Sequence, residues 1–186
     1  SLARAQGWDR LMPALTPAIS VIGPVSAAVA AETGLDPATP VTCGIHDSNA
    51  SLLPWLTRLA PPFTVVSSGT WTVVMAVGGK LDALDERRDS LANVDAFGRP
   101  VPTARFMGGR EYALLVGKAP PPAGPADVAQ VFAKGVFVLP TFVPGTGPFG
   151  DGAGRWEGPE ASLSPTERTA AADLYLALVT RACLGL

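Results

Sequence analysis

The sequence predicts an α/β protein, and three observations carry that prediction. "FTVVSSG" and "TWTVVMAV" are β-branched runs around a glycine turn, the pattern of a hairpin. "TPVTCGIHD" reads as a strand that runs into a helix, the junction at which α/β proteins present polar groups. "SPTERTAAADLYLALVTRACLGL" is a helix with a complete start signal: Ser164 as N-cap, Pro165 at the first position and Glu167 closing a capping box. The 186 residues suit one generous domain or two small lobes that share a cleft. With 47% apolar and 16% charged residues, most segments should pack rather than stay disordered.

Each element follows from local chemistry. Residues 7–15 predict a short helix, and "ISVIGPVSAAVAAETGL" opens extended before an Ala-rich helix that Gly34 caps and Pro37 bars from continuing. A short buried strand is expected over Pro40 to Gly44, then a helix from about Ser48 to Leu59. "APP" at 60–62 forbids ordinary helix and predicts a boundary, dividing the chain into residues 1–61 and 62–186. Beyond the hairpin, "ANVDAFGRPVPTARFMGG" predicts a second strand pair around "AFGRP" and a helix starting near Gly109. A proline-rich loop, "GKAPPPAGPADV", precedes a short helix, and "GVFVLPTFVPG" reads as a buried strand. "GTGPFGDGAGRWEGPEASL" is expected to be a surface loop. On the last helix Ala171, Leu174, Leu178 and Ala182 predict the apolar face.

Composition narrows the function classes. A net charge of -2 supplies no electrostatic reason to bind nucleic acid or an anionic membrane. Every apolar run is interrupted well short of the ~20 residues a membrane helix needs. "SLARAQGWDRLMPALTP" lacks the pattern of a signal peptide. Cys43 and Cys183 have no metal-like or disulfide-framework spacing, so a reduced, cytoplasmic setting is expected. The lack of an initiator Met and the apolar pattern still running at "LYLALVTRACLGL" predict an internal fragment of something longer. Unpaired edges and exposed apolar faces would then favour association, a homodimer being one such form.

Chemistry is concentrated in three short stretches. In "GIHDSNASLLPW" the single histidine, His46, precedes Asp47 at a strand-to-helix junction. A carboxylate there can accept a proton from a hydroxyl that the imidazole orients, although spacing alone favours Asp47 as a helix cap. "SSGTW" exposes successive N–H groups and a hydroxyl around Gly69 and Thr70, as an anion-binding concavity or as a plain hairpin turn. "MGGRE" places Gly108 and Gly109 at a helix start, either to admit a phosphate or only to turn the chain. A Ser-His-Asp hydrolase is disfavoured, since G-x-S-x-G is missing and adjacent His and Asp side chains diverge.

Taken in order, "CGIHDSNASLLPW", "VVSSGTWTVVMAV", "NVDAFGRPVPTARFMGGREYALL" and "GVFVLPTFVPGTGPF" resemble the FGGY family of carbohydrate kinases over nearly the whole chain. The resemblance implies a ribonuclease-H-like (actin-like ATPase) fold, with residues 1–61 ending the first, sugar-binding lobe and 62–186 starting the second, nucleotide-binding lobe. It further implies transfer of a phosphoryl group from ATP, with Mg2+, to a hydroxyl of a small sugar. Asp47 would be the general base, His46 and Trp71 sugar contacts, and Gly69, Thr70, Gly108 and Gly109 phosphate neighbours. No metal-ligating residue is assigned, because the family's amino-terminal phosphate loop has no counterpart here, nor does its later adenosine loop. A fragment lacking both is expected to have little activity alone. The His before the aspartate and the Trp after Gly-Thr look closest to the rhamnulose and fuculose kinase branch, which implies a ketose or deoxy-ketose. The competing readings are an actin-like sugar or nucleotide binding protein without catalysis, and a structural domain in which all three stretches are turns and caps.

Overall fold

A computed structural model describes residues 2–185 and is mixed α/β. The chain forms two compact units. One takes in the described residues up to Leu53 together with Val94–Arg99, and the other takes in Pro54–Asn93 and the chain from Pro100 onward.

The first unit is built of short pieces. α1 (Leu2–Ala5) is followed by a single 3-10 turn, Asp9–Leu11, where a helix over 7–15 was expected. Pro13 accounts for the difference: it pushes the preceding Met12 to an extended conformation, φ -85° and ψ 134°. β1 (Val21–Pro24) and β2 (Pro40–Thr42) pair antiparallel, Val21 opposite Thr42 and Pro24 opposite Pro40. Between them runs α2 (Ala27–Thr33), capped by the Ser26 hydroxyl at one end and at the other by Gly34 at φ 75°. That left-handed conformation is the one for which a glycine was expected there.

All of β2 is exposed, so the expected buried strand is corrected to one half of a two-stranded ribbon that nothing in its own unit covers. The helix expected from Ser48 to Leu59 is two turns, α3 (Asp47–Ala50) and α4 (Leu53–Leu56). Pro54 accounts for the break, since it has no N–H to offer the Ala50 carbonyl and fits only in the first turn of a new helix. The Ser51 hydroxyl bonds back to the Ser48 carbonyl at 2.6 Å, closing the first turn.

The second unit holds a four-stranded sheet in the order β3-β4-β6-β5: β3 (Phe63–Ser68), β4 (Thr72–Val77), β5 (Ser90–Val94, all but its last residue in this unit) and β6 (Pro100–Phe106). β4 and β6 are buried almost throughout, as inner strands covered on both faces should be, whereas the edge strand β3 alternates half-buried and exposed. Against the sheet pack α5 (Gly108–Val116) and α7 (Pro165–Leu184), with α6 (Pro125–Ala133) alongside α7. Val74, Ala104, Phe106, Leu115, Ala172, Tyr175, Val179 and Cys183 form one buried cluster, and Val131, Ala170 and Ala171 another.

The capping box of α7 forms as expected. The Ser164 hydroxyl accepts from the Glu167 N–H at 3.2 Å, and the Glu167 carboxylate accepts from the Ser164 N–H at 2.6 Å. Its apolar face is wider than expected and shifted toward its end: Ala171 is buried and Leu174 packs beside it, but Leu178 is 68% exposed, and Ala172, Tyr175, Val179 and Cys183 face the sheet. The buried strand expected in "GVFVLPTFVPG" is β7 (Phe137–Leu139), only half covered and paired with β8 (Arg155–Glu157) out of the expected glycine-rich loop. Trp156 explains that strand. Its ring packs on both buried clusters and carries the Arg168 guanidinium 4.5 Å from its centroid.

Candidate functional site

Register brings two of the three singled-out stretches together. β3 and β4 are joined by Gly69–Trp71, with Ser68 opposite Thr72, and β4 pairs with β6 so that Thr72 lies opposite Phe106. β6 ends there, and Met107 leads at once into α5. The hairpin turn and the start of α5 must therefore sit side by side at one end of the sheet.

The glycines are what let them meet. A Cβ on Gly109 would run into the Gly69 carbonyl group and lie 3.2 Å from the Thr70 Cα; one on Gly108 would strike the Thr72 hydroxyl and the Phe106 ring. No side chain caps the first turn of α5, so its leading N–H groups remain available to an anion. The space beside these turns is an open cleft of about 330 Å³ lined by Ser68, Gly69, Thr72, Gly108, Gly109, Tyr112, Asp173 and Leu176. Of the expected phosphate neighbours, Gly69, Gly108 and Gly109 line it, and Thr70 stands at the turn against Gly109.

Glu111 holds the start of α5 in place from behind. Buried to 1% exposure, it accepts from the Phe142 and Val143 N–H groups, each at 3.0 Å, and from the Tyr175 hydroxyl at 2.6 Å. Burial first, and then the Glu111 carboxylate, push the Tyr175 hydroxyl far above its ordinary range, which keeps it a donor. Trp71 faces a different set of partners. The Arg105 guanidinium lies 4.9 Å from its ring centroid, and Arg105 in turn holds Asp89 at 2.9 Å. Asp89 also accepts from the Gly147 N–H at 3.2 Å.

His46 and Asp47 belong to the first unit. His46 occupies the cap position of α3, and its Nδ1 accepts from the Ser48 N–H at 3.3 Å. Asp47 is the first helical residue, not the cap. Its Oδ1 accepts from the same N–H at 2.6 Å and stands 2.9 Å from His46 Nδ1, with 92% of the side chain exposed. Asn49, buried in the same turn, donates to the Val94 carbonyl at 2.9 Å and fastens α3 to the segment 94–99.

Sequence reasoning missed Tyr112, Asp173 and Glu111. Tyr112 carries a signal, since it follows Gly108 by one helical turn and so shares its face. Asp173 carries a weaker one, an acid inside an Ala- and Leu-rich helix whose buried face is set by tertiary partners.

The model of the FGGY carbohydrate kinase C-terminal domain matches residues 60–186. The chain belongs to the FGGY carbohydrate kinase family. A solved structure described as a carbohydrate kinase from Novosphingobium aromaticivorans is 38% identical, with a TM-score of 0.75 over 99% of this chain and 42% of that one. Xylulose kinases from Rhodospirillum rubrum and Bifidobacterium adolescentis share the fold. The first is 23% identical at a TM-score of 0.59, over 94% of this chain and 37% of that one. The second is 17% identical at 0.51, over 99% of this chain and 39% of that one. The FGGY chain described here thus spans less than half the length of these relatives. No curated protein matches it. The mixed α/β arrangement is consistent with the actin-like ATPase fold of this family.

Proposed function

We propose that this protein is an ATP-dependent carbohydrate kinase in which the cleft beside Gly69 and Gly109 receives nucleotide phosphates and Asp47 is the general base. The observation that carries the reading is the Thr72–Phe106 register, which sets two glycine turns edge to edge with uncapped helix N–H groups between them. A phosphate chain fits that cradle because it needs close backbone approach and donors without side chains in the way. Among the described residues no three His, Cys, Asp or Glu side chains gather as a metal site. Mg2+ fits as the partner of the nucleotide's own phosphates, with few protein ligands, and when bound supplies neutralisation of phosphate charge.

The chain's own residues supply the rest. Asp47 accepts the proton of the sugar hydroxyl as that oxygen bonds to the γ-phosphorus and ADP departs with the bridging oxygen. The Ser48 N–H holds one carboxylate oxygen, Oδ1, which leaves Oδ2 for the substrate. His46, beside it, and Trp71 are proposed to touch the sugar, and the pattern around them supports a ketose or deoxy-ketose as acceptor. Residues 1–61 are assigned to the sugar-binding lobe and 62–186 to the nucleotide-binding lobe, which the C-terminal-domain match from residue 60 supports. A cytoplasmic setting goes with the use of ATP, and no described helix is long and apolar enough to cross a membrane.

The test is Asp47→Asn in the full-length protein, assayed by coupled ADP release over a panel of ketoses. Turnover should fall by ~10²–10⁴-fold with ADP affinity unchanged. Undiminished turnover refutes the base, and nucleotide binding without any turnover in the parent protein would favour a sensor over a kinase. Residues 1–186 alone are expected to turn over little substrate, given their share of the relatives' length.

A further inference from the structure

One side chain in the cleft looks out of place for a phosphate site. Asp173, on α7, lines it together with Tyr112 and the glycines, and among the described residues lining it there is no Lys or Arg. The Tyr112 hydroxyl beside the Asp173 carboxylate favours its ionised form. Desolvation works the other way and prevails, holding the carboxyl above the usual carboxylate range although the residue is exposed. Nothing basic among the lining residues offsets this charge.

A carboxylate beside a polyphosphate repels it even across an open, hydrated cleft, because the like charges lie close together. A divalent cation on the phosphates reverses that balance, because the ion's own charge dominates its surroundings. We propose that Asp173 makes this cleft selective for the metal-complexed nucleotide by disfavouring the metal-free form. The inference rests on the nucleotide reading of the cleft and adds a specificity-determining residue to it. Tyr112 lines the same cleft one turn along α5.

The experiment is calorimetric titration of the full-length protein with ADP, once with Mg2+ and once with EDTA, for the parent and for Asp173→Asn. Asparagine keeps the volume but removes the charge. Metal-free ADP should bind the variant about tenfold tighter, between the water and protein-surface limits for one nearby unit charge, while Mg-ADP changes by about twofold or less. An unchanged ratio of the two affinities overturns the role of Asp173 and leaves the nucleotide cleft standing. Weaker Mg-ADP binding with metal-free ADP unaltered also overturns it, in favour of direct metal holding. If the parent binds ADP under neither condition, the nucleotide reading itself is wrong. Asp173→Ser repeats the comparison should the first variant fold poorly.

Discussion

The two compact units differ in how they are held. Among the described residues of the first, Ala30, Asn49, Leu52, Asp95 and Ala96 are buried, while Trp8, Leu11, Leu15, Ile19 and Ile22 are exposed. The second buries eight residues of its sheet and helices in a single cluster and adds another between α6 and α7. The contrast matches the chemistry proposed for each. Two backbones pressed together at Gly69 and Gly109 need a rigid support, because a shift of an ångström would open or close the cradle. A proton acceptor such as Asp47 needs exposure and a few local hydrogen bonds, which a single helical turn can supply.

The sharpest way to break this comparison is to truncate one large side chain in each unit. Phe106→Ala, at 2% exposure, should cost about 3–5 kcal/mol of stability, against under ~1 kcal/mol for Trp8→Ala at 50% exposure. Urea unfolding of both variants would decide it, and equal losses would erase the distinction. Gly109→Ala comes next: its methyl would collide with the Gly69 backbone, so ~1–3 kcal/mol of stability should go, together with ADP affinity. A variant that binds ADP normally would show that the two turns need not touch.

The smallest expected effect lies in the first unit and depends on pH. Burial of Asp95 acts to raise its pKa, but the Arg99 backbone and side chain and the Phe97 N–H donate to the carboxylate and outweigh burial, leaving it below the usual range. The folded value thus lies below the unfolded one, near 3.8, so the stabilisation is complete above that value and lost as pH falls through the folded value. Amide exchange at Phe97 and Arg99 should accelerate below about pH 4 beyond the intrinsic trend. Asp95→Asn should flatten that added dependence, and persistence of the acid response in the variant would point to another group.

Much of the fold is legible in the chain itself. The "SSGT" hairpin, Gly34 and the Ser164–Glu167 box are local signals, set by turn chemistry and capping, and the structure carries them as expected. What the sequence does not reveal depends on tertiary partners. The Ala-rich middle of α7 could bury any of several faces, and the choice is made by Tyr175 meeting Phe142 edge-on at 5.9 Å and reaching Glu111. β8 is hidden because its neighbours are glycines, and pairing with β7 together with the packing of Trp156 makes a strand of it. Asp173 is obscured along with the helix phase, although Gly69 and Gly109, which share its cleft, stand out in the sequence.

Glu111 follows directly after the glycine pair and one arginine, and its buried carboxylate binds the 142–143 backbone and α7 at once. The N–H groups at Gly108 and Gly109, proposed to receive phosphate, are in this way aimed before any ligand arrives. Folding, not binding, bears the entropy of ordering them. On the proposed nucleotide reading, a residue that does not line the cleft therefore governs how tightly the cleft can hold a guest. Loosening it would shorten the guest's residence time even though every group that touches the guest is still in place.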